Sequence, residues 1–484
     1  VAGVNLGRDW RMLLGGQLTG AVGGNTYLTT SPSTGKPLAK VPAADGRDVQ
    51  IAVQAAQKAQ RQWRRVAPRE RADVLRQVAT IVIDNAHELS RLDALDCGNP
   101  ITAMYRDVME AASTLQHFAN WADHLSGISP VSDSQHLHYT VREPFGVVAR
   151  IVPYNHPIMF AATKIAAPLM AGNAVILKAS DQAPLSALRL GELVAGVIPT
   201  GLLSILTGHG REVGADLVAH PGVRRIAFTG SVATGQAVLR SAAATGIKSV
   251  SLELGGKNPM IILSDADVNA AGAGAVAGMN FAWTAGQSCG STSRLLVHDS
   301  VADEIIERVA EGIRALRMGD PLDESTEMGC LVSQQHRAHV LSYIERGDAA
   351  GLVRIDGGQE VDGRGAFVAP TAFLDVPADS VLASEEIFGP VLAISRFSDE
   401  EKALHAANGT EFGLTASIWT QDLGRAHHMA RQVEAGYVWV NTASQHFAGL
   451  PFGGVKNSGL GREESVDELH SFTETKSVTV RVGS

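Results

Sequence analysis

The chain has 484 residues, about three times the ~150 of an ordinary domain, so two or three structural units around a large buried core are expected. With 45% hydrophobic and 19% charged residues it is too apolar to be disordered. The balance of 41 Lys+Arg against 50 Asp+Glu, without a dense basic block, excludes a surface built to grip nucleic-acid phosphates. Cysteine occurs only as Cys97, Cys289 and Cys330, which excludes a disulfide framework or a zinc cage and fits a reduced, cytoplasmic setting.

Arg8, Asp9 and Arg11 interrupt the first apolar stretch, and no signal peptide is expected. From Asp48 to Leu95 apolar residues such as Ile51, Val53, Ala56, Val74, Val78, Ile81 and Leu89 recur at helical spacing, and Pro68 divides the stretch into two predicted helices. Leu137, Tyr139 and Val141 alternate with polar residues, as in a strand with one buried face. Four apolar runs then alternate with helical stretches: GVVARIV at 146–152, AVILK at 174–178, LLSIL at 202–206 and RRIAF at 224–228. That alternation predicts parallel βαβ units in a doubly wound sheet, which binds nucleotides at its carboxyl edge.

Residues 268–293 carry no charge and include Gly274 and Gly278 at the spacing of a membrane dimerisation motif. The stretch is too rich in Ala, Gly and polar residues for a span, so a buried helix is expected and no membrane association. A second α/β lobe is predicted from PMIIL at 259–263, RLLVH at 294–298, VLAIS at 391–395 and YVWVN at 437–441. Val478, Val480 and Val482 form a second alternating strand. The two alternating segments are either edge strands within one subunit or a protruding sheet shared with a neighbour.

Gly208, Gly210 and Gly214 follow the 202–206 run at one residue more than the usual dinucleotide spacing. In FTGSVATG at 228–235, Ser231 can open a helix whose free N–H groups suit a pyrophosphate, or simply cap it. Cys289 lies in GQSCGS among small residues, as a nucleophile or an inert thiol. Glu253, in ELGGKNP, ends a strand-like run, as a general base or a hinge cap.

PFGVVARIVPYNHP at 144–157, FTGSVATG, ELGGKNP, GQSCGS, EEIFGPVL at 385–392 and PFGGVKNSGLGRE at 451–463 occur in the order and approximate spacing of the aldehyde dehydrogenase superfamily. Together they resemble that superfamily over essentially the whole chain. The resemblance implies a Rossmann-like cofactor domain at 1–125 and 145–255, a catalytic domain at 256–456, and a small β oligomerisation element at 126–144 and 457–484. It implies NAD-dependent oxidation of a small-molecule aldehyde to an acid, by a homodimer or homotetramer.

By the same resemblance Cys289 is the nucleophile, Asn155 with the Cys289 N–H stabilises the oxyanion, Glu253 activates water to hydrolyse the thioester, and Lys164 positions Glu253 or relays its protons. Lys178 and Asp181 hold the adenosine ribose, Gly230 and Ser231 the pyrophosphate, and Glu386 and Phe388 the nicotinamide ribose and ring. A carboxylate at Asp181 favours NAD, with NADP the alternative. His156, Phe160, Thr163, Trp283, Ser444, His446 and Phe452 are expected to line the aldehyde tunnel. With neutral histidines that lining is uncharged and favours an aromatic or medium-length neutral aldehyde over a carboxylated semialdehyde. A CoA-acylating enzyme and a non-catalytic binding protein are the competing readings. The first generally lacks the glutamate present at Glu253, and retention of Cys289, Asn155 and Glu253 argues against the second. Cys97 and Cys330 are expected to be buried thiols, and His336 with His339, or His427 with His428, lack partners for a metal site.

Overall fold

The computed structural model describes residues 4–356 and 365–482. Its first sheet has eight strands, of which the five central ones run parallel in the order Ser249–Glu253, Arg225–Thr229, Val147–Ile151, Ala174–Lys178, Leu203–Leu206. These are four predicted runs plus the strand that ends at Glu253. The strand earliest in this series, Val147–Ile151, lies in the middle, and the chain winds first to one side of it and then to the other. The carboxyl ends of Val147–Ile151 and Arg225–Thr229 therefore flank the switch point where such sheets bind ligands.

The helical stretch after Asp45 forms three helices, Gly46–Trp63, Pro68–Asp84 and Ala86–Cys97, where two are predicted. Asp45 and Asp48 cap the first reciprocally. Pro68 opens the second, and the additional break falls at Asn85, whose side-chain amide turns back to the Ile81 carbonyl at 2.8 Å. The third helix supplies caps to two others. Asp93 accepts from the Ile158 N–H and Asp96 from the Leu185 N–H, each at 2.9 Å. The helices that receive them, Pro157–Met170 and Leu185–Val194, have no side-chain cap of their own.

The second sheet has seven strands, six of them parallel, in the order Thr371–Phe373, Val391–Phe397, Arg294–His298, Pro259–Ile262, Thr415–Trp419, Tyr437–Val440, with Arg354–Asp356 antiparallel at one edge. Both faces are covered. Met260, Ile262, Leu295 and Val297 enter one core, and Ile261, Leu263 and Leu296 the other. That is why these strands read as unbroken apolar runs.

The charge-free stretch 268–293 is not a single helix. It folds as Val268–Gly278 and a short Phe281–Thr284 helix, with the side of Gly272 closed by Arg308 and that of Gly274 by the Trp419 indole. Among the described residues no helix is long and apolar enough to cross a membrane.

His136–Pro144 and Thr473–Arg481 pair with each other along their full length as an antiparallel ribbon, Leu137 opposite Val480 and Tyr139 opposite Val478. The sequence predicts one buried face here. Within the single chain that apolar stripe stays open, with Leu137, Tyr139, Val480 and Val482 exposed.

Candidate active site

Two turns from different lobes meet at the switch point. Strand Val147–Ile151 runs into the turn that carries Asn155 and His156, and helix Pro157–Met170 follows. From the second lobe comes the turn after Phe281–Thr284, which carries Cys289. Asn155 Nδ2 donates to the Gln287 carbonyl at 2.9 Å, and Asn99 Nδ2 holds the Asn155 carbonyl at 2.8 Å. Asn155 is buried, and its Oδ1 has no hydrogen-bond partner. Asn258, in ELGGKNP, fixes the cysteine turn by donating to the carbonyls of Cys289 at 2.6 Å and Ser291 at 2.8 Å, while its Oδ1 accepts the Thr415 N–H. The backbone is strained around this cleft, since Asn280, Ala285, Phe388 and Ser444 all adopt the left-handed conformation that non-glycine residues avoid.

Glu253 ends its strand inside the protein, 5% exposed, and its Oε1 makes no hydrogen bond. Burial, reinforced by the charge of Glu463, pushes its carboxyl up to about 8. Burial and the neighbouring Glu253 likewise push the Cys289 thiol well above its ordinary value.

Lys164, expected to position Glu253 or relay its protons, donates to Glu463 Oε2 at 2.6 Å. Glu463 also accepts from Arg150 Nη1 at 3.0 Å, and Arg150 reaches the Lys164 carbonyl at 2.7 Å and the Glu468 carboxylate. All four side chains are buried. Burial alone would discharge them, but the facing opposite charges hold the Glu463 carboxyl low and the Lys164 ammonium high. Gly459–Leu460 pairs antiparallel with the Glu253 strand and so delivers Glu463 to this cluster. Glu463 closes the PFGGVKNSGLGRE motif, which is the signal that could have singled it out.

Cys289, Glu253, Asn155 and Lys164 line one cavity of about 460 Å³. So do all seven substrate candidates, His156, Phe160, Thr163, Trp283, Ser444, His446 and Phe452. The expectation of an uncharged lining is not met. Helix Ile101–Asn120 contributes Arg106 and Glu110, and Glu464 lies 2.9 Å from His446 Nδ1. Arg106 sits over the Trp283 ring. Burial lowers the pKa of His446, but Glu464 outweighs it and leaves a net rise. The helix escaped the sequence reading, although Arg106, Glu110 and Thr114 recur at the spacing of one helical face.

The cofactor candidates lie outside this cavity, on the carboxyl edge of the first sheet and across from it. Lys178 ends its strand almost completely buried, yet its ammonium makes no hydrogen bond with any described residue. Asp181 faces His209 Nδ1 at 3.3 Å. Gly230 follows strand Arg225–Thr229 and donates its N–H to the Glu253 carbonyl at 3.0 Å. Ser231 caps helix Val232–Thr245. Glu386 Oε1 accepts the Gly256 N–H at 3.0 Å, its other oxygen lies where a Cβ at Gly255 would collide with it, and burial pushes its carboxyl up to about 7. His336 Nε2 binds the Phe388 carbonyl at 2.7 Å, so this histidine braces Phe388. An ammonium without a hydrogen bond, the remaining N–H groups at the start of helix Val232–Thr245 and a carboxylate with one oxygen bonded are polar groups that fit the ribose hydroxyls and phosphates of a dinucleotide. Among the described residues no cluster of three or more His, Cys, Asp or Glu could hold a metal ion. Cys97 and Cys330 are buried and do not line the cavity.

Residues 20–478 match the model of the aldehyde dehydrogenase family. The chain is 46% identical over 467 residues to aldehyde dehydrogenase tropH of Talaromyces stipitatus, covering 94% of this chain and 90% of that protein. It is similar to the aldehyde dehydrogenase of Bacillus cereus solved with NAD+, with a TM-score of 0.95, 36% identity, and 99% and 98% of the two chains covered. It also resembles the P. syringae indole-3-acetaldehyde dehydrogenase AldA, solved with NAD+ and IAA, with a TM-score of 0.95, 38% identity, and 98% and 97% covered.

Proposed function

Since the chain belongs to the aldehyde dehydrogenase family and is an NAD-dependent aldehyde-oxidising enzyme, we propose that Cys289, Asn155 and Glu253 carry the reaction by a covalent, hydrolytic route. The observation that supports this reading is the convergence of the three on one cavity, with a carboxyl that burial pushes up to about 8 beside the thiol.

Cys289 Sγ attacks the aldehyde carbon while the ionised form of Glu253 takes the thiol proton. The carbonyl oxygen gains negative charge. The second N–H of the Asn155 amide, left over from its bond to Gln287, stabilises that oxyanion together with the Cys289 N–H, which donates to no described carbonyl. Lys178, Asp181, Gly230, Ser231, Glu386 and Phe388 would hold NAD, which would supply the hydride acceptor. The resulting thioester on Cys289 is hydrolysed when Glu253 draws a proton from water and the hydroxide adds to the acyl carbon. The acid leaves and the sulfur recovers a proton. Lys164 and Glu463 form the charged support behind Glu253, through which its proton returns to solvent.

Asp181 accepts ribose hydroxyls and repels a 2′-phosphate, which supports NAD over NADP. The open apolar stripe on the His136–Pro144 and Thr473–Arg481 ribbon supports assembly into a homodimer or homotetramer. Three free thiols support a reducing, cytoplasmic setting. Mass spectrometry of Glu253→Gln after one turnover tests the route. Slower acylation of Cys289, and an acyl group that then persists on it, are expected, and a free thiol regenerated from the acyl enzyme at the parent rate refutes it.

A further inference from the structure

Asp107 lies on helix Ile101–Asn120 with no exposed surface and accepts two hydrogen bonds, from Trp283 Nε1 at 2.9 Å and from His156 Nδ1 at 2.7 Å. An indole nitrogen only donates, and a carboxylate only accepts, so Asp107 fixes the proton on His156 Nδ1. In the neutral imidazole Nε2 is then the acceptor nitrogen, and it makes no hydrogen bond with any described residue. The His156 ring is held edge-to-face between Phe160 at 5.6 Å and Trp283 at 5.3 Å, on the cavity wall and next in sequence to Asn155. A polar atom is thus oriented by a buried partner, surrounded by aromatic faces and left without a partner of its own.

We infer that His156, oriented by Asp107, recognises a hydrogen-bond donor on the substrate, and that the favoured aldehydes are aromatic ones carrying a hydroxyl or ring N–H. This rests on the aldehyde-oxidising reading above. Phe160 and Trp283 stack with the ring of the substrate, while His156 Nε2 accepts the proton of its hydroxyl. A site that leaves a buried acceptor unpaired rejects the analogue lacking the donor, by about tenfold or more. Asp107 is a positioning residue here, acting through the tautomer of His156.

The test compares kcat/KM for the three hydroxybenzaldehydes, benzaldehyde and the 3- and 4-pyridinecarboxaldehydes, whose ring nitrogen only accepts. In the parent enzyme one hydroxybenzaldehyde exceeds benzaldehyde at least tenfold. His156→Phe keeps a ring in place and removes that preference. Asp107→Asn keeps an oxygen for Trp283 and turns an N–H toward His156 Nδ1, which moves the imidazole proton to Nε2. The pyridinecarboxaldehydes then gain at least tenfold relative to the hydroxybenzaldehyde. A merely structural role for Asp107 would lower all substrates together and leave the ratios within twofold of the parent, which overturns the inference. Oxidation of benzaldehyde with no preference for any hydroxyl isomer overturns it alone. Failure of the parent to oxidise any aldehyde removes the enzymatic reading and this one with it.

Discussion

Replacing Glu253 with Gln should stabilise the protein while disabling it, and the stabilisation should depend on pH in a defined way. The carboxyl is pushed from 4.5 up to about 8 by burial. Between those values the folded chain keeps a proton that the unfolded chain releases, so stability falls as pH rises, by about 1.4 kcal/mol per pH unit. The cumulative cost reaches about 5 kcal/mol near pH 8 and is constant above it. Gln has no proton to release, so the variant lacks this slope. If all 484 residues unfold together with an entropy of about 1 kcal/mol/K, the melting temperature of the variant should exceed the parent's by about 1 °C near pH 5.5 and about 4–5 °C at pH 8 and above. Differential scanning calorimetry of both proteins in matched buffers at one scan rate measures the gap, and all other titrations cancel in the comparison. A gap that is the same at every pH refutes the burial argument. In turnover the sign is opposite. The basic form of Glu253 grows as pH rises through about 8, so thioester hydrolysis by the parent accelerates up to that point, and the variant shows no such limb.

Cys289→Ala should reduce NADH formation more than about a thousandfold, and iodoacetamide should label Cys289 alone in the native protein because Cys97 and Cys330 are each 1% exposed. Residual turnover near the parent rate would remove Cys289 from the mechanism. Glu463→Gln leaves Arg150 and Lys164 buried with one fewer counter-charge and should cost about 3–5 kcal/mol, read as a lowered melting temperature. An unchanged melting temperature would mean that the cluster is not charged as drawn. Asp181→Ser should raise the NADP-to-NAD ratio of kcat/KM about tenfold by removing a like charge near the added phosphate, and an unchanged ratio places Asp181 away from the ribose. Val480→Asp puts a charge into the apolar stripe of the ribbon, and light scattering at micromolar concentration should show the mass falling to that of one chain. A parent that is already a single chain refutes this.

The parts of the fold legible in the sequence are those whose cause is local. Val147–Ile151 and Ala174–Lys178 read as strands because both sheet faces are covered, which requires an unbroken apolar run. Thr371–Phe373 is too short to show a period, and Thr415–Trp419 hides behind buried Thr415 and Ser417, whose polarity resembles a loop. The break at Asn85 has neither glycine nor proline to announce it. Cys289, Glu253 and Asn155 stand out through their motifs, and Glu463 ends one, but nothing near Asp107 marks it, and neither carboxylate's burial is written in its neighbours. Their burial is tolerable only because of His156 and Trp283 in the one case and Arg150 and Lys164 in the other. Similarly, each half of the Leu137–Val480 ribbon shows its alternation, while the identity of its partner strand, more than 300 residues away, leaves no trace in either half.

The Arg150–Glu463 contact spans 313 residues and the Arg150–Glu468 contact 318, which bears on how the protein is made. During synthesis the first sheet emerges long before Glu463 does, and until then Arg150 and Lys164 face each other as two cations with no anion to pair them. A nascent first lobe cannot close its core over them and must keep that end hydrated. Loop closure over such a distance is also slow. Catalytic competence therefore cannot precede translation of the segment from Gly459 onward, so a stalled nascent chain would carry a first sheet without its Gly459–Leu460 edge strand and no working cysteine.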